Sequence, residues 1–83
     1  MPPKAKILVI DDDKILREFA QEALGMAGYE VEMAAEGREG LQKAAAFVPD
    51  LVICDLMMPG LHGFEVCQRL RDKGRKNLRI LVT

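Results

Sequence analysis

Short apolar blocks alternate along this chain with longer stretches in which apolar residues recur every three or four positions. Ile7-Leu8-Val9-Ile10 is unbroken by any polar residue, the pattern of a strand covered on both faces. From residue 14 the period changes. Ile15, Leu16, Phe19, Ala20, Ala23, Leu24 and Ala27 fall at helical spacing and Gly28 supplies a stop, so a helix is expected over 14–27. Tyr29-Glu30-Val31-Glu32-Met33 alternates apolar and acidic residues, which predicts a strand with one wet face at the edge of a sheet. A second helix is expected over 38–47, with Leu41, Ala44, Ala45 and Val48 turned inward and Pro49-Asp50 ending it. Leu51-Val52-Ile53-Cys54 is again wholly apolar and stops at Asp55. The Pro and Gly residues over 56–63 demand a loop, and a third helix over 64–73 is expected to bury Val66, Cys67 and Leu70 ahead of Gly74. Arg79-Ile80-Leu81-Val82 reads as a last strand that ends at Thr83.

Strand and helix alternate throughout, which implies an α/β domain with a parallel sheet and right-handed crossovers. In such sheets ligands bind beyond the carboxyl ends of the strands, where the strand order reverses. Those ends carry Asp11-Asp12-Asp13, Asp55 and Thr83, so every polar group of chemical interest falls on one rim. Adjacent carboxylates at the end of a buried strand repel one another. The arrangement makes sense where a cation or a phosphoryl group is to be held.

Composition narrows the field. A chain of 83 residues, 49% hydrophobic and 30% charged, is one small globular domain, and its net charge of -1 argues against a broad basic face for nucleic acid. No apolar run approaches the length of a signal-peptide core or a membrane span, and residues 1–5 read as an N-terminal tail. Cys54 and Cys67 lack CxxC spacing and stand among apolar residues. They read as two reduced thiols, which points to a cytoplasmic setting.

Three stretches, "ILVIDDDKILREFAQEAL", "PDLVICDLMMPGLHGFEV" and "ILVT", resemble in order and spacing the receiver domain of two-component response regulators, over 7–83. The resemblance implies a flavodoxin-like fold of strand order 2-1-3-4-5. Residues 6–83 would supply the partial domain β1-α1-β2-α2-β3-α3-β4, in order 2-1-3-4, without helix 4, strand 5 and helix 5. It further implies that Asp55 is a phosphoacceptor and that Thr83 is the switch hydroxyl. Mg²⁺ would be held by Asp11, Asp12, Asp55 and the Met57 backbone carbonyl. A carboxylate can take a phosphoryl group as a reactive acyl phosphate, and hard oxygens with retained waters suit Mg²⁺. The implied partner is a histidine kinase or phosphotransfer protein, with neither nucleic acid nor membrane engaged, and the domain is a signalling acceptor and not an enzyme. Asp13 is set apart because a helix follows it, so its expected work is to cap that helix. His62, alone in a Gly/Pro loop, reads as a solvated residue.

The family's lysine at the end of strand 5 and the aromatic switch residue on that strand have no counterpart in these 83 residues, so phosphorylation is expected to be impaired. The apolar strand 80–82 would present an open edge, and the first helix carries a wider apolar stripe than one sheet contact needs. Both lead to the expectation of a homo-oligomer joined through the 80–82 edge. Two other readings stand beside the receiver. One is a self-associating assembly module without phosphorylation chemistry. The other is a haloacid-dehalogenase-like phosphatase, with Asp11 as nucleophile and Asp13 as general acid; it needs a flap insertion where the sequence instead begins an amphipathic helix.

Overall fold

The computed structural model describes residues 5–55, 63–72 and 78–83, with Phe64 in its backbone only. The elements are β1 (Lys6–Ile10), α1 (Lys14–Met26), β2 (Glu30–Ala34), α2 (Gly37–Phe47), β3 (Leu51–Cys54), α3 (Gly63–Asp72) and β4 (Arg79–Val82). All strand pairs are parallel and the order is β2-β1-β3-β4, the flavodoxin-like order expected of the sequence. That order puts β1 between two neighbours, and Ile7, Leu8, Val9 and Ile10 are each at most 3% exposed. β2 lies at the edge, with Glu30 and Glu32 in water and Val31 and Met33 half-buried.

Residues paired in register share a face of the sheet. Leu8, Ile10, Ala34, Val52 and Cys54 share the face on which α2 and α3 close the core with Ala44, Val66 and Leu70; Leu78 joins them, and Leu41 and Ile80 pack at the margin. The opposite face carries Ile7, Val9, Leu51, Ile53 and Leu81, and α1 packs over β1 and β2. The wholly apolar β3 is therefore covered unequally: Val52 and Cys54 are buried, Leu51 and Ile53 only half so. For the same reason α1 buries none of its residues fully, and Ile15, Phe19 and Met26 are 76%, 71% and 82% exposed.

The helix α2 departs from expectation on its inner face. Ala44 is buried and Leu41 half-buried, but Ala45 and Val48 face solvent. Ala45 lies about 100° round the helix from Ala44 and passes to the wet side. Val48 has left the helix altogether: it is the C-cap, in the left-handed region at φ 52 and ψ 64, so helical phase no longer places it. Glu39 accepts the Ala35 N–H at 2.7 Å and fixes the entry to α2. Lys43 then ties the helix to β2, donating to the Met33 carbonyl at 2.5 Å. A close approach seats α2 on the sheet. A Cβ at Gly40 would stand on Ile10 Cδ1 and 2.8 Å from its Cγ1, so the helix crosses β1 at a spacing that glycine permits. In α3, Val66 and Leu70 are buried as expected, while Cys67 is half-buried.

Candidate functional site

Ile10 and Cys54 are register partners at the carboxyl ends of β1 and β3, so the next residues, Asp11 and Asp55, emerge side by side. The hydrogen-bond ladder runs one step past the strands. Asp11 N donates to Ala34 O at 3.1 Å, Asp55 N to Ile10 O at 3.0 Å, and Thr83 N to Cys54 O at 3.0 Å. Thr83 is thereby held at the same rim, beside the strand end that carries Asp55.

The acidic run is sorted by its turn. Asp11 Oδ1 accepts the Asp13 N–H at 2.9 Å, which folds the chain back on itself, and the Asp11 carbonyl accepts Arg17 Nη1 at 2.8 Å. Asp13 Oδ1 accepts from Ile15 N at 2.9 Å and Leu16 N at 3.2 Å, so its carboxylate caps α1, as expected. Asp12 stays exposed. Carboxylate oxygens of Asp11, Asp12 and Asp55 all lie within 4.8 Å of one another. At that separation two unit charges repel by roughly 3–4 kcal/mol at an effective dielectric of about 20, which a cation would relieve. The donor set is all hard oxygen. Carboxylate oxygens are the donors that Mg²⁺ takes, so the chemistry of the cluster suits that ion. Met57 and His62 lie outside the described residues.

Cys54 sits beneath this rim. Burial first, then Cys67, Asp55 and Asp11, push its thiol up to about 12, so it stays protonated, and its Sγ contacts the Asp55 carbonyl at 3.7 Å. Burial also raises the Cys67 thiol, and both cysteines are free, in keeping with the sequence expectation. Arg17 was not singled out from sequence. A basic residue in the first turn of a helix, where the macrodipole disfavours positive charge, was the available signal. The phosphatase alternative loses its footing here, because Asp13 is engaged as a cap and α1 starts at Lys14 with no room for a flap.

The model of the response regulator receiver domain matches residues 7–83. The chain belongs to that family. Response regulator MprA of Mycolicibacterium vanbaalenii is 49% identical over 77 residues, 93% of this chain and 33% of that protein. MprA of Mycobacterium ulcerans is 47% identical over the same shares. Among solved receivers, the chemotaxis protein CheY4 of Vibrio cholerae superposes with a TM-score of 0.91 at 42% identity, over 94% of this chain and 66% of that one. The response regulator TrrA of Thermotoga maritima, solved in complex with Mg²⁺ and BeF, gives 0.88 at 41% identity, over 94% and 67%. This receiver chain thus spans a third of the curated relatives' length and about two thirds of the solved receivers' chains. Among the described residues no helix is long and apolar enough to cross a membrane.

Proposed function

We propose that residues 6–83 act as the phosphoacceptor part of a two-component receiver, accepting a phosphoryl group on Asp55 from a histidine kinase or phosphotransfer protein in the cytoplasm. The observation that carries this reading is the convergence of Asp11, Asp12 and Asp55 within 4.8 Å at the carboxyl rim. Asp55 supplies the nucleophilic oxygen. Asp11, Asp12 and Asp55 would hold Mg²⁺, with the Met57 carbonyl as the further ligand that the family resemblance implies, and the ion would supply neutralisation of charge on the phosphoryl oxygens. Arg17 and Asp13 position the turn that carries Asp11 and Asp12. Thr83, at the end of β4, offers its hydroxyl to the phosphoryl group and moves with it. The domain is an acceptor that turns over at most from small phosphodonors.

The test is incubation with an acyl phosphate and Mg²⁺, followed by intact-mass and peptide mass spectrometry. One added phosphoryl group on Asp55, absent without Mg²⁺ and absent in Asp55→Asn, is the expected result. No gain of mass, or gain that persists in Asp55→Asn, would remove Asp55 from this role.

A further inference from the structure

Two side chains of α2 lie over the outer edge of β2, the strand on the side of the sheet opposite β4. The ladder with β1 fixes which backbone groups of β2 face outward. Glu30 N donates to Ala5 O and Ala34 O accepts from Asp11 N, so the peptide groups of Glu30, Glu32 and Ala34 point at β1. Those of Val31, Met33 and Ala35 alternate with them and point away. Two of these outward groups are already bonded. The Met33 carbonyl accepts Lys43 Nζ at 2.5 Å, and the Ala35 N–H donates to Glu39 Oε1 at 2.7 Å. Lys43 and Glu39 stand one helical turn apart with 3.7 Å between their charged atoms, and Lys43 is also 3.6 Å from Glu32.

The two bonded groups belong together. In a parallel pair, one residue of the added strand gives its N–H to the carbonyl of one residue and takes the N–H of the residue two further on. Met33 and Ala35 are such a couple. Lys43 supplies the donor and Glu39 the acceptor, so the ion pair fills the place of one residue of an incoming strand. An antiparallel strand meets the same obstacle, because it needs the N–H and the carbonyl of Met33 at once. At 38% and 41% exposure the ion pair adds little stability of its own. Its larger effect is on the edge, since an open edge strand is a template for another chain.

We infer that Glu39 and Lys43 form an edge cap, which keeps β2 of one receiver from pairing with β2 of a second copy. Without the cap the two strands would join antiparallel about a two-fold axis, the closed arrangement that identical edges allow. Glu30 and Glu32, both in water, add like-charge repulsion to the same barrier.

Sedimentation velocity beside amide hydrogen exchange tests this, in about 0.5 M sodium chloride to screen the glutamates of the two copies from each other. In the wild type the Ala35 amide should be protected, and those of Val31 and Met33 should exchange fast at every concentration. Glu39→Ala/Lys43→Ala should associate more tightly than the wild type by about tenfold or more, with the Val31 and Met33 amides slowing as concentration rises. Lys43→Arg, which keeps a donor, should behave as the wild type. Far-UV circular dichroism checks folding, and Glu39→Gln/Lys43→Met is the milder pair that keeps strong helix formers in α2. Association no tighter than the wild type in the folded double variants would overturn the cap. So would tighter association that leaves the Val31 and Met33 amides fast, or protection of those two amides in the wild type.

Discussion

Gly25→Ala and Gly40→Ala add the same methyl group to two helices of this receiver, and the structure expects opposite outcomes. Both substitutions gain up to about 1 kcal/mol of helix propensity, since alanine loses less backbone freedom on folding than glycine. At Gly25, in α1, a Cβ meets nothing within 4 Å, so stabilisation of about 0.5–1 kcal/mol should appear in full. At Gly40 the new methyl must displace Ile10, which is 0% exposed and cannot swing into solvent. Forcing an extra methyl into a packed core costs about 1–3 kcal/mol, so Gly40→Ala should be destabilised by up to about 2 kcal/mol after the propensity gain. The difference between the two variants cancels most of the shared propensity effect and should be about 1–3 kcal/mol. Urea denaturation followed by circular dichroism measures both in one series. Equal effects within about 0.5 kcal/mol would refute the close approach of α2 to β1. A second readout is local: Ile10 precedes Asp11, so Gly40→Ala should also weaken Mg²⁺ binding, which Gly25→Ala leaves unchanged.

Mg²⁺ titration should show Asp12→Asn losing more affinity than Asp13→Asn, because Asp13 spends its carboxylate on the helix; equal losses would mean the acidic run is misassigned. Asp13→Ala should instead cost about 1 kcal/mol of stability in urea, the usual value of an N-cap, and no loss of stability would contradict the capping geometry. Cys54 has a folded pKa raised from 9.0 to about 12, so its contribution is present in full below pH 9.0 and is lost as pH rises toward the folded value. Stability in metal-free buffer should therefore fall over that window with a component of at most about 1.4 kcal/mol per pH unit, and Cys54→Ala should remove that component; an unchanged slope would show that the thiol is not what titrates.

The strand pattern was legible because the residues themselves carry it. The unbroken Ile7-Leu8-Val9-Ile10 run marks the central strand, and Glu30 and Glu32 mark the edge. Asp13 was legible as a cap because α1 begins beside it. What could not be read is which face each helix covers. Leu51 and Ile53 are as apolar as Val52 and Cys54, yet they stay half-open because α1 lies over β1 and β2. Val48 looked like a continuation of the α2 stripe until the chain turned left-handed at that residue. In the site, the strand ends placed the carboxylates of Asp11, Asp12 and Asp55 on one rim, but Arg17 reaching back to the Asp11 carbonyl depends on the path of the turn, which no spacing encodes.

The pairing of Ile10 with Cys54 also bears on how the chain finds its fold. Asp11 and Asp55 are 55 − 11 = 44 residues apart and are brought together when β1 and β3 align in this one register. A slip of a single residue along β3 would carry Asp55 about 3.3 Å away and turn its side chain to the other face of the sheet. A divalent ion bound by all three carboxylates therefore favours the correct alignment over every slipped one, by about 2.7 kcal/mol when its concentration is a hundred times the dissociation constant. During synthesis the first two carboxylates leave the ribosome well before the third. The cluster proposed as the phosphoacceptor site would then also serve as a proofreading device, rewarding the one strand pairing in which the late-arriving aspartate meets the other two.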